Sequence, residues 1–197
     1  MPDPAALSEE SQAGLGPVIR VEENWYLMLN EANGALNAPQ YHTVMSPTGD
    51  LDGVYAQIVW NYREAPEYRA GGLQVQLWDD GELACYKSDR EVPLSRSVEI
   101  IRWKQVLETN GQVVSFSIPF GQSGTWGSFG QGLTLSLAGG PADLSGYSPD
   151  VSVGNASVTF GSNRVNILGI SSVSYYGPNG LIAVDDTPRV AYRLSGN

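Results

Sequence analysis

The chain has little cysteine, histidine and positive charge, and each shortage argues against a class of function. Its 197 residues include one cysteine and one histidine, and 11 Lys and Arg stand against 21 Asp and Glu, a formal net charge of −10. Phosphate binding needs a basic stripe, so this charge argues against a nucleic-acid partner. A lone cysteine forms no intrachain disulfide, and Cys85 is interpreted as a small buried residue and not as a nucleophile.

Motifs for catalysis are also scarce. His42 lies in a stretch predicted as loop and no Gly-x-Ser-x-Gly motif accompanies it, so neither a Ser-His-Asp nor a Cys-His mechanism is indicated. A zinc site would need carboxylates for most of its ligands. Two carboxylates could flank a glycosidic bond in the folded chain, which the sequence neither shows nor excludes. We expect that the protein is not an enzyme.

Long apolar runs are missing as well. No run approaches the roughly 20 residues of a membrane helix, so we expect no membrane insertion. Low charge with abundant Gly, Ser, Asn and Thr favours an extracellular protein, secreted or at the cell surface, whose signal peptide is not part of this sequence. Residues 1–17 have no sustained apolar pattern and are predicted as a flexible arm, followed by a single β-sandwich domain over 18–197.

The strongest pattern that is present is an apolar alternation after residue 112. It predicts a strand over 113–120, with Phe120 at the end of its apolar face, and a second strand over 133–137. The glycine-rich stretch between them, 121–132, is predicted as a long loop. Asn110-Gly111 is typical of a type I′ turn, so the chain before it is predicted to pair with the first of these strands.

Alternation and turn residues predict about ten to thirteen strands and no amphipathic helix. Trp60 lies on a strand that is apolar on both faces and is predicted as core, and Asp80-Gly81 is predicted to turn a hairpin. The segment 31–52 is predicted mostly as loop and 151–153 as a short strand. The fold class is therefore all-β, an antiparallel β-sandwich of the jelly-roll type.

The run GGLQVQLWDDGELACYKS, with the later strand pairing, resembles concanavalin A-like, laminin-G-type jelly rolls of bacterial extracellular proteins over 18–194. The resemblance implies a concanavalin A-like sandwich. Enzymes of that fold carry carboxylates in a Glu-x-Asp-x-x-Glu pattern, and no such triplet occurs here. A glycosidase is therefore not indicated by the resemblance.

Aromatic side chains on loops or strand faces are the candidate ligand contacts, since flat rings with a polar tip stack on sugar faces or on protein partners. Trp126 and Phe129, in the predicted glycine loop, are the leading candidates, although a long loop also needs an aromatic plug of its own. The full set is Trp78, Trp126, Phe129, Tyr147, Tyr175 and Tyr176.

Aspartates on predicted turns are the candidate metal ligands, and calcium is the cofactor that they would suit. These residues are Asp50, Asp52, Asp185 and Asp186. None of them belongs to an EF-hand pattern, and aspartate is also a favoured turn residue, so calcium binding and turn formation are both open.

Two functions fit these observations. The first is a non-catalytic extracellular binding module with carbohydrate as the leading ligand. The alternative is a structural subunit of a bacterial surface layer or filament, in which the arm 1–17 or a strand joins a neighbouring chain and forms a homo-oligomer. The expected partners are thus carbohydrate or other protein subunits.

Overall fold

The structure, a computed structural model, describes residues 16–30, 39–61, 72–90, 92–94, 96 and 98–194. The predicted arm lies outside the described residues except for Gly16 and Pro17, so its separation from a single domain stays a prediction. Thirteen strands are found in the described part of the chain. They are β1 (Arg20–Leu29), β2 (Gln40–Met45), β3 (Tyr55–Trp60), β4 (Leu73–Asp79), β5 (Glu82–Asp89), β6 (Ile100–Thr109), β7 (Val113–Ser123), β8 (Gly127–Phe129), β9 (Leu133–Ala138), β10 (Ser157–Phe160), β11 (Val165–Gly177), β12 (Gly180–Asp185) and β13 (Arg189–Arg193).

The strands form two antiparallel sheets. The larger one runs in the order β12, β11, β1, β6, β7, β8, with β13 also beside β11 and β9 also beside β7, and the smaller one runs β10, β2, β3, β4, β5. Buried apolar side chains from both sheets make one core between them. The predicted all-β antiparallel sandwich is confirmed.

Strand β1 shows how the larger sheet acquires one buried and one open face. Its residues at positions 21, 23, 25, 27 and 29 are buried and face the smaller sheet. Asn24, Tyr26 and Met28 alternate with them and are only half-buried, on the opposite face. Strand β6 repeats the pattern, with Trp103 inside and Arg102 outside. We call this open side the outer face of the larger sheet.

Stacked aromatic rings fill the centre of the core. Trp25 stacks on Trp103 with ring centroids 5.8 Å apart, Trp103 lies 4.7 Å from Trp60, and Trp60 stacks on Tyr41 at 5.2 Å. These rings come from both sheets and join them. The prediction that Trp60 belongs to the core is confirmed, since none of its surface is exposed.

Two predicted segments have a different structure. The part of 31–52 that the structure describes contains β2, in which half-buried Gln40 and His42 alternate with buried Tyr41 and Thr43, so His42 lies on a strand and not in a loop. The predicted strand 151–153 belongs to the helix α1 (Pro149–Asn155). Ser148 caps α1 and Pro149 occupies its first turn, which is a helix-start signal that outweighs the local apolar residues. No helix in the described ranges has the length and apolar character that crossing a bilayer requires.

The turn after β6 also differs from its prediction. The hairpin of β6 and β7 is present, but of the two turn residues only Gly111 has a positive φ, of 81°, so the turn is not type I′. Instead the Asn110 Oδ1 accepts hydrogen bonds from the backbone N–H groups of Gln112 and Val113. The side chain of Asn110 therefore supplies the turn geometry.

The glycine-rich stretch 121–132 is not one long loop. Strand β7 continues to Ser123, a short turn follows, and β8 pairs back against β7. Gly121 allows this arrangement, because a Cβ there would overlap the ring of Phe129. Glycine in this stretch thus serves close packing of a hairpin.

Candidate functional site

The outer face of the larger sheet carries side chains in cross-strand rows. In one row Gly169 of β11 pairs with Tyr26 of β1, Tyr26 with Arg102 of β6, and Arg102 with Gln122 of β7. Gly169 has no side chain, and a Cβ placed there would lie 3.1 Å from the Tyr26 hydroxyl. The backbone carbonyl of Arg189 on β13 would be closer still, so the β13 backbone and the Tyr26 hydroxyl together fill the space that a larger residue would need.

The next row supplies polar groups and an exposed ring. Ser172, Asn24, Lys104 and Phe120 are paired in that order across four strands. The Asn24 Nδ2 donates to the Ser172 Oγ at 3.0 Å, which fixes the amide. Phe120 is 54% exposed and stands beside it on the same face.

Phe120 reaches this face through an irregularity in the pairing. The sequence alternation places it with the buried residues of β7, but the register between β6 and β7 shifts between Lys104 and Val106. The shift reverses the faces, so that Phe120 is exposed and Gly121 is buried. The predicted position of Phe120 on the apolar face is therefore wrong.

These rows border a groove of about 370 Å³. Its walls combine the apolar surface of Phe120, Ile100 and Met28 with the polar groups of Asn24 and Arg102. The full lining is Asn24, Trp25, Tyr26, Met28, Ile100, Arg102, Trp103, Phe120 and Ser171. An apolar surface with a few convergent polar groups is the usual composition of a ligand site.

Beside the groove a buried carboxylate holds the neighbouring cations. The Glu22 Oε1 accepts from Arg20 at 2.5 Å, and its Oε2 accepts from the Lys104 Nζ at 2.5 Å. Burial acts to raise the pKa of Glu22, but the hydrogen bonds from Lys104 and Arg20 outweigh it and the pKa is lowered. Lys104 is thus already paired.

The leading predicted contacts, Trp126 and Phe129, pack against the core. Trp126 stacks on Trp60 with centroids 6.0 Å apart, and its Nε1 donates to the Val92 carbonyl at 2.6 Å. Phe129 meets Trp126 edge-on at 5.2 Å and is 2% exposed. This is the arrangement of an aromatic plug, and it leaves Phe129 no open face for a ligand.

The other predicted aromatic contacts are dispersed. Trp78 stacks on Tyr55 at 6.1 Å in the smaller sheet. Tyr147 is buried and meets Tyr175 edge-on at 6.0 Å, while Tyr176 lies under the guanidinium of Arg20. The structure does not bring the six residues together, and ligand contact by any of them stays a prediction.

Inside the sandwich lies a second polar cluster, centred on Glu23. The fully buried Glu23 accepts hydrogen bonds from the Trp25 Nε1 at 2.7 Å, the Gln105 Nε2 at 2.5 Å and the Tyr147 hydroxyl. Burial raises the pKa of Glu23, although these donors act in the opposite direction. The Gln105 Oε1 in turn accepts from the Thr43 Oγ1 in the smaller sheet at 3.1 Å. The cluster joins the two sheets and is enclosed.

The aspartates proposed for calcium are engaged in turns. The Asp50 Oδ1 accepts from the Asp52 backbone N–H and the Thr48 hydroxyl. Asp185 pairs with the Arg189 guanidinium at 2.6 Å. No group of three or more His, Cys, Asp or Glu suited to a metal occurs among the described residues. Calcium binding, which includes the predicted Asp186, stays a prediction, and a fall in melting temperature on adding a chelator would be its test.

The single histidine and the single cysteine of the sequence both lie on strands of the smaller sheet. The His42 Nδ1 lies 3.0 Å from the Ser157 Oγ, which links β2 to β10, and burial lowers the pKa of His42. Cys85 is half-buried on β5, and burial raises the pKa of its thiol. The sequence predicted a buried cysteine, and the structure leaves Cys85 only half-buried. A thiol with a raised pKa is a weaker nucleophile at neutral pH.

Comparisons with known proteins give fold likenesses only. No protein-family profile and no curated protein matches the chain. Among solved structures, ancestral congerin is similar with a TM-score of 0.33 and 9% identity, over 73% of this chain and 92% of that one. SCP-B, an eqolisin peptidase in complex with the tripeptide Ala-Ile-His, is similar with a TM-score of 0.34 and 10% identity, over 88% and 82%. A scytalido-glutamic peptidase with a transition state analog inhibitor gives 0.33 and 10%, over 87% and 82%.

These comparisons correct one expectation. The chain was expected not to be an enzyme, yet two of the similar structures are peptidases. At such low TM-scores they assign no activity to this chain, but the fold gives no ground for excluding one. The β-sandwich part of the resemblance seen in the sequence is confirmed, whereas membership of the concanavalin A-like group is not shown.

Proposed function

We propose that the protein binds carbohydrate in the groove on the outer face of the larger sheet. The observation that carries the proposal is the exposed ring of Phe120 beside Asn24 and Arg102. A sugar ring has an apolar face that stacks on an aromatic ring and a polar rim that takes hydrogen bonds from amide and guanidinium groups.

The groove is formed in advance by the fold. Its side chains stand on β1, β6, β7 and β11, where backbone pairing fixes their spacing. Asn24 is also held by Ser172. A site that is already ordered loses little conformational entropy on binding. This matters for sugars, because their surfaces are only weakly apolar and each contact contributes little to the affinity.

The test begins with affinity electrophoresis in gels that each contain one polysaccharide of a panel. An oligosaccharide of a polysaccharide that slows the protein is then titrated by calorimetry to give the binding affinity. Phe120→Ala should weaken binding about tenfold or more, because it removes the stacking ring. Asn24→Ala should weaken it as well. Tyr86→Ala is the matched control, since Tyr86 is a similarly exposed aromatic residue, 49%, on β5 in the smaller sheet.

The proposal would be contradicted if none of the polysaccharides slows the protein. It would also be contradicted if Phe120→Ala and Tyr86→Ala lose the same amount of binding affinity. Melting curves of the variants show whether a loss of binding is due to unfolding. An extracellular location and assembly into a layer or filament stay predictions. The assembly prediction is tested by comparing the size distribution of the whole chain with that of a chain starting at Val18.

A further inference from the structure

The groove contains a cation, Arg102, for which the described part of the chain offers no partner. Arg102 is exposed and forms no ion pair or hydrogen bond with any described residue. The neighbouring cation on the same strand, Lys104, is bound by Glu22, and Arg20 is bound by the same carboxylate. Arg102 is thus the groove's available positive charge.

The positions around Arg102 are free of carboxylates. On its own strand its neighbours on this face are Ile100 and Lys104, and across the strands they are Tyr26 and Gln122. The groove lining includes no Asp or Glu at all. In a chain with 21 acidic and 11 basic residues, an unpaired guanidinium in an acid-free groove is a local reversal of the overall charge.

Building on the proposed function, we propose that the groove selects acidic carbohydrates, with Arg102 binding a carboxylate or sulfate group of the sugar. A guanidinium presents parallel N–H donors that match two oxygens of such an anion. With the anion on Arg102, the sugar ring lies toward Phe120, its diagonal neighbour across β6 and β7. The apolar wall then excludes water from the ion pair and strengthens it.

The experiment compares ligands that differ only in charge. Trigalacturonate and its methyl ester are titrated in parallel, and a neutral trisaccharide is compared with its sulfated form. We expect each acidic ligand to bind at least tenfold more tightly than its neutral counterpart, with an affinity that falls as NaCl is raised. A preference confined to the uronate or to the sulfate identifies which anion the site takes.

Variants assign the preference to its residue. Arg102→Gln should weaken binding of the acidic ligand about tenfold to 100-fold and leave that of the neutral ligand unchanged, because one charge-assisted bidentate contact is lost. Arg102→Lys should retain part of the preference. Arg193→Gln is the control, since Arg193 is also without an ion pair or hydrogen bond to the described residues but lies on β13, outside the groove.

Equal affinity for acidic and neutral ligands, or equal losses for both in Arg102→Gln, would overturn this inference. If Phe120→Ala still weakened both ligands, the proposed function would stand without it. Failure of all four saccharides to bind, while a neutral polysaccharide of the panel still slows the protein, would overturn this inference alone, whereas failure of the whole panel would overturn both proposals.

Discussion

Replacing Glu23 by alanine is predicted to destabilise the sandwich more than any surface substitution. The carboxylate accepts three hydrogen bonds in a fully buried site. Its removal leaves the indole N–H of Trp25, the amide of Gln105 and the hydroxyl of Tyr147 without this acceptor. Orphaned buried donors cost about 1–3 kcal/mol each, so with partial rearrangement we expect a loss of about 3–5 kcal/mol in the free energy of unfolding.

Two milder variants separate the contributions. Tyr147→Phe removes one donor and leaves the carboxylate with its other partners, so it should cost about 1 kcal/mol. Glu23→Gln keeps the shape of the side chain but places an NH₂ group where the Trp25 and Gln105 donors point. It should therefore fall between the other two variants.

Titration gives Glu23 a second signature. Because its folded-state pKa is raised above the usual value of 4.5, its stabilising contribution is complete below that pH and is lost as the pH rises through the folded-state pKa. The stability advantage of the wild type over Glu23→Gln should thus shrink as the pH is raised from 4.5.

Urea unfolding followed by tryptophan fluorescence is the assay, since Trp25 contacts the carboxylate and Trp103 stacks on Trp25. Measurements near pH 4.5 and at pH values above it give the free energy and its pH dependence. A loss below about 1 kcal/mol in Glu23→Ala would refute the reasoning, because it would mean that the three donors find equivalent partners or water.

Three further predictions concern the hairpin of β7 and β8 and the Glu22 carboxylate that binds Arg20 and Lys104. Gly121→Ala should lower the melting temperature and cost about 1–3 kcal/mol of the free energy of unfolding, because the new methyl group overlaps the Phe129 ring. Gly53→Ala is the control and should change little, since the space around Gly53 is open. Trp126→Ala should cost about 2–4 kcal/mol in urea unfolding and leave the sugar affinity of the folded protein unchanged, because its ring packs on the core. Glu22→Gln should reduce stability above pH 4.5, and its deficit should vanish as the pH falls through the lowered pKa of Glu22, which acid titration by circular dichroism can follow.

Local patterns were sufficient to predict most of the fold. Alternation predicted the strands around Trp60 and 133–137, and Asp80-Gly81 forms its turn with positive φ at both residues. Prediction failed where side-chain capping competes with apolar pattern, as at Ser148-Pro149, where the cap starts a helix. It failed also in 121–132, where glycine content indicated a loop but close packing of Phe129 is the reason for Gly121.

The candidate site was harder to predict than the fold. Its side chains at positions 24, 102, 120 and 171 come from four strands, and only the pairing register brings them to one groove. The register shift that exposes Phe120 also has no signal in the alternation of β7. For Trp126 the sequence left ligand contact and an aromatic plug both open, and the structure shows that its ring packs on the core residue Trp60.

The central claim is that sugars bind in the groove on the outer face of the larger sheet. It is tested most directly by recording backbone amide chemical shifts while an oligosaccharide that binds the protein is added. If the groove on the outer face of the larger sheet is the binding site, the largest changes should fall on Asn24, Tyr26, Arg102 and Phe120. Changes confined to Trp126 and its turn, or to the smaller sheet, with those four amides unmoved, would contradict the account.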